Sequence, residues 1–336
     1  MAPTPLWHPE SLAARLPFLR RRALLTQAVR AFFTARGYTE VETPYAVPAP
    51  GEEVHLSAFR TERIGPEGGR TPLFLHTSPE FAMKKLLVAG AGPIFQLARV
   101  WRNGEGSRRH AAEFTMLEWY KPGASMADLM AEVADFLRAV LPPVVTAQGV
   151  TTDLTAMEHL TLAEAFQRHL GADLLGTAGD AAALAASAGV ALREGEDWED
   201  LFFRLILGEI EPHLGHRHPT FFTHWPAAQA ALARRDPTDP RVAERVELYV
   251  CGMELANAFV ELTDAAEQRA RFLEDRARRR ALYGEEGWPL DEDFLAALEY
   301  GMPPAAGIAL GFDRLAMIAA GADRIEQVQW LPEPRP

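Results

Sequence analysis

Cysteine is nearly absent: Cys251 is the only one in 336 residues. A lone thiol excludes an internal disulfide and a cysteine-based zinc site. The ten histidines nowhere take the HExxH spacing of a helical zinc site. Basic charge is also short. There are 34 Lys and Arg against 46 Asp and Glu, which gives a net charge of −12 and a pI of about 5.4. A general nucleic-acid binder carries the opposite balance. Arginine clusters are local, at Arg20–Arg22, Arg108–Arg109 and Arg278–Arg280 with Arg276. No apolar run reaches the roughly 20 residues that cross a bilayer. The N-terminus MAPTPLWHPESLAARL has no apolar signal-peptide core, so the expected compartment is the cytoplasm.

What is present is ample apolar content. At 48% hydrophobic residues and 24% charged, the composition is that of a globular chain able to bury a sizeable core. Its length suits one large catalytic domain or two modest ones. Residues 1–17 are proline-rich and read as an irregular arm. From Phe18 to Arg36, Leu24, Leu25, Ala28, Val29, Phe32 and Phe33 recur at helical spacing, and Gly37 follows as a C-terminal cap. A short strand over Tyr38–Pro44 comes next. A further short strand is expected at Leu56–Arg60, another at Phe74–His76, and helices over Met126–Leu141, Leu162–Leu170, Trp198–Ile210 and Leu262–Tyr283. The alanine-rich stretch Ala172–Ala191 reads as helical and exposed.

The chemistry concentrates in four places. Residues Ile94–Tyr120 read as strand, polar loop, strand. Alternate residues of a strand share a face, so Phe114, Met116, Glu118 and Tyr120 point one way, a core face that carries a carboxylate and a phenol. The loop holds Arg102, Glu105, Arg108, Arg109 and His110. Such a hairpin suits a ligand with a phosphate end and a cationic end, although solvated charges at a hairpin tip are common. Ser78-Pro79-Glu80 opens a helix. Capping and complementarity to the helix dipole account for Ser78 and Glu80 as well as a ligand does. In Arg245–Asp264, a Cys251-Gly252 turn pairs Tyr249 with Glu254 and Glu247 with Ala256. Two nearby carboxylates then suit Mg²⁺ held through phosphate oxygens, or are simply solvated. Strict alternation puts Asn257, Phe259 and Glu261 on the opposite face unless a bulge near Ala256 switches it. Finally, Gly307–Arg314 is a glycine-punctuated strand that delivers Arg314 to a helix start, where an anion is favoured.

Three of these segments, in this order, resemble the motifs of the class II aminoacyl-tRNA synthetases. Helix, Gly37, strand and Thr43-Pro44 are similar to motif 1. WRNGEGSRRHAAEFTMLE is similar to motif 2 of the lysyl branch, and GIALGFDR to motif 3. Within that branch the likeness runs to small lysyl-type paralogues that charge elongation factor P with (R)-β-lysine. Ser78, where lysyl synthetases have Ala, and Ala309, where they have Gly, both follow the paralogue pattern, as does Gln229.

The resemblance implies an α+β fold, an antiparallel sheet flanked by helices, with a catalytic domain over residues 18–330, a mostly helical insertion at about 142–219 and a tail at 331–336. It leaves no room for an anticodon-binding OB domain, which argues against tRNA as acceptor. Motif 1 implies a homodimer. The implied cofactors are ATP and Mg²⁺, and the implied protein partner is elongation factor P. Arg102 and Arg314 are implied as catalytic. Arg102, Glu105, His110, Phe114, Gly311 and Arg314 are implied at ATP, with Phe114 and Arg314 on either side of the adenine. Glu247 and Glu254 are implied at the metal. Ser78, Glu80, Glu118, Tyr120, Asn257, Phe259, Glu261 and Ala309 are implied at a diamino acid. Gly104, Ala111 and Ala258 depart from the family pattern.

Overall fold

A computed structural model of the chain describes residues 5–51, 53–284 and 287–332. The first four residues of the expected arm and the last four of the expected tail lie outside them.

The chain opens on helix α1 (Pro9–Ala35), not on an arm reaching to residue 17. His8 caps it by accepting the Glu10 N–H, and Pro9 sits in the first turn, where its missing N–H is no loss. Pro17 lies inside α1 without ending it. Leu19, Leu25, Val29, Phe32 and Phe33 are buried along one stripe, while Leu24 points outward.

The centre is a sheet of eight strands: β1 (Thr39–Glu40), β2 (Ile94–Trp101), β3 (Glu113–Pro122), β4 (Glu158–Thr161), β5 (Thr220–Pro226), β6 (Val242–Val250), β7 (Met253–Val260) and β8 (Ala305–Gly311). Their order across the sheet is β1-β2-β3-β8-β7-β6-β5-β4. The pairs at the two edges are parallel and all others antiparallel. The strand expected at Tyr38–Pro44 is thus two residues long and ends four residues before Pro44. A separate small sheet joins Ala46–Val47, Arg60–Ile64 and Arg70–Leu75. Its edge strand Arg60–Ile64 starts where the Leu56–Arg60 strand was expected to end.

One face of the large sheet is closed by α1, α3 (Met126–Val140) and the C-terminal helix Phe312–Ala320. Leu117, Trp119, Leu248, Ala258, Ile308 and Leu310 meet Phe33, Phe136 and Leu315 there. Arg22 of α1 reaches across this layer to Asp313, 2.5 Å away, and to Thr115, tying the first helix to the start of the last. A second apolar cluster joins β5 to helices Leu162–Leu170, Ala181–Ala188 and Trp198–Leu205. Of the alanine-rich stretch, only Ala181–Ala188 is an α-helix, and it is anchored through buried Leu184 and Ala185. A third cluster packs helix α2 (Glu80–Val88) on Phe272, from helix Ala265–Tyr283, and Phe294, from helix Glu292–Gly301. The remaining sheet face is left open between these layers, and the polar side chains gather on it.

Candidate active site

Strand register builds the floor. Residues directly opposite one another on neighbouring strands form rows across the sheet. One row runs Gln96, Glu118, Ala309, Asn257, Glu247, and the next runs Ile94, Tyr120, Gly307, Phe259, Arg245. The strands β6 and β7 join through Cys251-Gly252, both at positive φ, the backbone of a type I′ hairpin. Tyr249 pairs with Glu254 as expected, but Glu247 pairs with Asn257 and not with Ala256. The register slips because β7 carries one extra residue, Leu255, opposite the step from Leu248 to Tyr249. That bulge is the required switch. It returns Asn257 and Phe259 to the face of Glu247 and Glu254. Ala258 therefore turns into the core, so its methyl group does not narrow the open face.

Above this floor is a cavity of about 410 Å³. Ser78, Glu80, Arg102, Glu105, His110, Phe114, Glu247, Glu254, Asn257, Phe259, Ala309, Gly311 and Arg314 all line it. A second cavity of similar size, under the proline-rich loop 44–50, shares Ser78, Glu80 and Arg102 as a common wall.

At the basic end, the Arg102 guanidinium lies 5.3 Å from the centre of the Phe114 ring. Its Nε is buried without a hydrogen-bond partner among the described residues, and the residue forms part of the cavity wall. Gly104 adopts φ +84°, a left-handed turn that suits glycine, and Glu105 follows it into the cavity wall. Burial raises the Glu105 carboxyl, and Arg102 and Arg314 pull it back. Arg314 sits in the first turn of Phe312–Ala320. It donates 2.6 Å to the Glu254 carbonyl and also to His110 Nε2. Accepting at Nε2 fixes His110 as the neutral tautomer with its proton on Nδ1, 2.7 Å from Ser107 Oγ. Burial, then the Arg314 charge, hold His110 down at about 4.

At the β6–β7 edge, Glu247 is buried. Its oxygens accept from Arg245 at 2.7 Å and from Tyr249 at 2.9 Å. Arg245 also donates to Asn257 Oδ1 at 3.2 Å and lies on the Trp225 ring. Glu254 approaches Arg314 at 3.6 Å. Burial raises the Glu247 carboxyl, against the pull of Arg245. No group of three or more His, Cys, Asp or Glu able to hold a metal occurs among the described residues.

At the acidic end, Glu118, Tyr120 and Glu261, expected at the substrate, line neither cavity: Glu118 lies behind Ser78, Tyr120 behind Glu118, and Glu261 behind Lys84 and Glu80. Ser78 Oγ donates to Glu118 Oε1 at 2.6 Å, and the Tyr120 hydroxyl donates to Oε2 at 3.1 Å. Burial, reinforced by Glu80, pushes Glu118 up to about 8. Ser78 Oγ also accepts the Glu80 N–H at 3.0 Å, but the N-cap of α2 is Pro79 and not Ser78 as expected, so Ser78 caps the helix from one position further out. Its capping and pocket roles coexist. Glu261 forms an ion pair with Lys84. Gly307 lies against both Tyr120 and Glu261, and a Cβ there would fall 2.2 Å from the phenol ring.

Residues 14–335 match the family model for tRNA synthetases class II (D, K and N). The chain belongs to this class II synthetase family. It is 45% identical over 333 residues to the elongation factor P--(R)-beta-lysine ligase of Klebsiella pneumoniae (strain 342), covering 98% of both chains. The enzyme of the same name from Sodalis glossinidius is 45% identical over 334 residues, again at 98% of both. That from Edwardsiella ictaluri is 45% identical over 327 residues and 96% of both. For a class II synthetase domain, the large antiparallel sheet flanked by helices is the expected α+β architecture.

Two residues of this class II site escape the sequence reading. Lys84 bridges Glu80 and Glu261, and Arg245 joins Glu247 to Asn257. Both had a local signal: Lys84 lies four residues after Glu80, and Arg245 two before Glu247 on one strand face. Arg109, one of the loop arginines, spans Gln148 and the Gly252 carbonyl.

Proposed function

We propose that this chain is an ATP-dependent ligase that activates (R)-β-lysine as its adenylate and transfers it to a lysine side chain of elongation factor P. The observation that carries the reading is one cavity with arginines at one end and three carboxyls, Glu80, Glu118 and Glu261, at or just behind the other. Burying several acids without cations is costly, and a substrate with two ammonium groups and one carboxylate satisfies both ends. The relatives' names support the same reaction.

In the first step, the substrate carboxylate oxygen bonds to the α-phosphorus of ATP and pyrophosphate leaves. Negative charge gathers on phosphate oxygens, so positioning and electrostatics do the catalysis. Arg102, with its unpaired Nε, meets the α-phosphate and the carboxylate. Arg314 meets the γ-phosphate and, with Phe114, flanks the adenine beside Gly311. Neutral His110 and Glu105 lie along the nucleotide. Glu247 and Glu254, on one face across the bulge, fit Mg²⁺ bridged by phosphates, since Mg²⁺ needs only one or two carboxylates there. When bound, the ion supplies charge neutralisation to the phosphates. Asn257 orients the substrate carboxylate, Phe259 packs beside it, and Glu80, Glu118, Tyr120 and Glu261 take the ammonium end. In the second step, the neutral acceptor amine bonds to the adenylate carbonyl carbon, AMP leaves, and the amine loses a proton as the amide forms. The cavity sharing Ser78, Glu80 and Arg102 gives that amine its approach.

The catalytic unit takes in α1 from Pro9 onward, and the segment 142–219, expected as a mostly helical insertion, also supplies β4 to the central sheet. The enzyme works as a cytoplasmic homodimer and does not use tRNA. ATP–pyrophosphate exchange with (R)-β-lysine and with L-lysine, each alone, tests the reading. Exchange favouring (R)-β-lysine, followed by a matching mass gain on elongation factor P, is the expected result. Exchange with neither amino acid overturns it.

A further inference from the structure

Lys84 lies on the buried side of α2 with no exposed side-chain surface. Its Nζ is 2.5 Å from Glu80 Oε1 and 2.5 Å from Glu261 Oε2. Phe294 presents its ring 6.0 Å away. Glu118 and Tyr120 of β3 complete the charged and titratable surroundings, since Lys84 and Glu80 act on Glu118, and Glu80 and Glu261 on Tyr120. Burial disfavours the ammonium, yet Glu261 and Glu80 outweigh it and its pKa is raised. A buried ion pair rarely improves on an apolar side chain of the same size. Helix α2 already packs through Phe81, Met83 and Leu87, so packing alone does not call for a lysine here.

The charge count supplies the reason. Three carboxyls surround one end of the cavity, and one resident ammonium offsets one of them. With a dication bound beside them all three carboxyls are favoured as anions, and the two negative charges left over then equal the two ammonium groups of a diamino acid. The clamp also fixes geometry. Neither oxygen of Glu261 has a hydrogen-bond partner among the described residues, so the ion pair with Lys84 orients that carboxylate.

We propose that Lys84 is a positioning residue that clamps Glu80 to Glu261 and sets the amino-acid end of the cavity to the charge of a dicationic substrate. This rests on the amino-acid pocket proposed above.

The test is ATP–pyrophosphate exchange by the full chain and its Lys84→Met and Lys84→Arg variants, from pH 6 to 9, with KM measured for both substrates. In Lys84→Met, KM for (R)-β-lysine should rise about 30-fold or more, because a buried charge pair has lost one partner, while KM for ATP stays within about twofold. The acidic limb of the amino-acid profile should move up by about one pH unit, because the carboxylates lose the cation that favours ionisation. Lys84→Arg keeps the charge, so its limb should stay in place. If Lys84→Met does not fold, Lys84→Arg decides: an unmoved limb with a raised amino-acid KM supports the clamp, and a moved limb or raised ATP KM overturns it. Equal rises in both KM values with an unmoved limb in Lys84→Met mean a merely structural lysine and overturn the proposal. So does an unchanged amino-acid KM. No exchange by the unaltered protein with any diamino acid overturns the functional reading itself.

Discussion

Ser78 Oγ donates a 2.6 Å hydrogen bond to Glu118, and Ala309 stands directly opposite Glu118 on the neighbouring strand. Two of the three positions that follow the paralogue and not the lysyl pattern therefore converge on one carboxyl. Moving an amine from the α to the β carbon shifts it by roughly 1.5 Å, a distance that a hydroxyl and a methyl can accommodate. The double variant Ser78→Ala with Ala309→Gly should shift the ratio of kcat/KM values toward L-lysine by about tenfold, in the range that one methyl-sized change commands. Steady-state exchange with each amino acid reads the ratio, and an unchanged ratio sinks the idea.

Glu118 also makes stability depend on pH. Its carboxyl sits at about 8 in the folded chain, above the ordinary glutamate value. A carboxyl raised on folding holds its proton more tightly in the folded state. It stabilises the fold at low pH, and that stabilisation is lost as pH rises from the usual glutamate range through about 8. Glu118→Gln mimics the protonated form. Its melting temperature without ligand should exceed that of the unaltered chain at pH 9 by about 2 °C or more, with little difference at pH 5. Parallel melting curves at the two pH values would contradict this.

Much of this site is readable from alternation alone. The face shared by Phe114, Met116, Glu118 and Tyr120 follows from period two, and the Cys251-Gly252 turn fixes the pairing of Tyr249 with Glu254. The bulge is not readable that way: alternation alone turns Asn257 and Phe259 away from Glu247, and only the resemblance implies the switch. The partners of these residues are what stay hidden. Lys84 four residues after Glu80 reads as a surface helix pair, and only the packing of α2 against Phe294 and the sheet buries it. Arg245 lies on the Trp225 ring, a partner distant in sequence. The prolines make residues 1–17 read as an irregular arm because their cost is local, whereas the burial that keeps α1 continuous through Pro17 is long-range.

His110 and Arg314 give a separate test at the nucleotide end. Burial and Arg314 keep His110 neutral, so KM for ATP should show no limb near pH 6.5. Arg314→Gln removes the repelling charge and the bond into Nε2. Its KM for ATP should rise about tenfold or more, the worth of a lost charge-assisted contact. A new limb should also appear as His110 regains a proton at acidic pH. An ATP profile with a histidine limb in the unaltered enzyme would refute this assignment.

Gly307 has no room for a side chain. A Cβ would lie 2.2 Å from the Tyr120 ring and 2.5 Å from Glu261 Oε1, on a strand whose backbone cannot move without disturbing β3 and β7. Gly307→Ala should destabilise the chain by roughly 1–3 kcal/mol and raise KM for the amino acid more than KM for ATP, since both displaced groups belong to the acidic end. Denaturant unfolding with the two KM values checks it, and a folded variant with unaltered amino-acid KM would place Tyr120 and Glu261 outside the substrate's reach.

Glu254 separates the metal reading from a purely structural one. Glu247 has both oxygens engaged by Arg245 and Tyr249, whereas Glu254 gives Arg314 its backbone carbonyl and keeps a carboxylate 3.6 Å away. Its carboxylate is therefore the freer of the two to meet an ion. Glu254→Gln keeps the shape and the carbonyl bond and removes one charge. With Mg²⁺ bound jointly by carboxylates and phosphate, the Mg²⁺ concentration giving half-maximal exchange should rise about tenfold in this variant, and saturating Mg²⁺ should restore most of the rate. Glu247→Gln should not be rescued as fully, because it also loosens Arg245 from Asn257. Identical Mg²⁺ titrations for Glu254→Gln and the unaltered chain would leave Glu254 as a partner of Arg314 and nothing more.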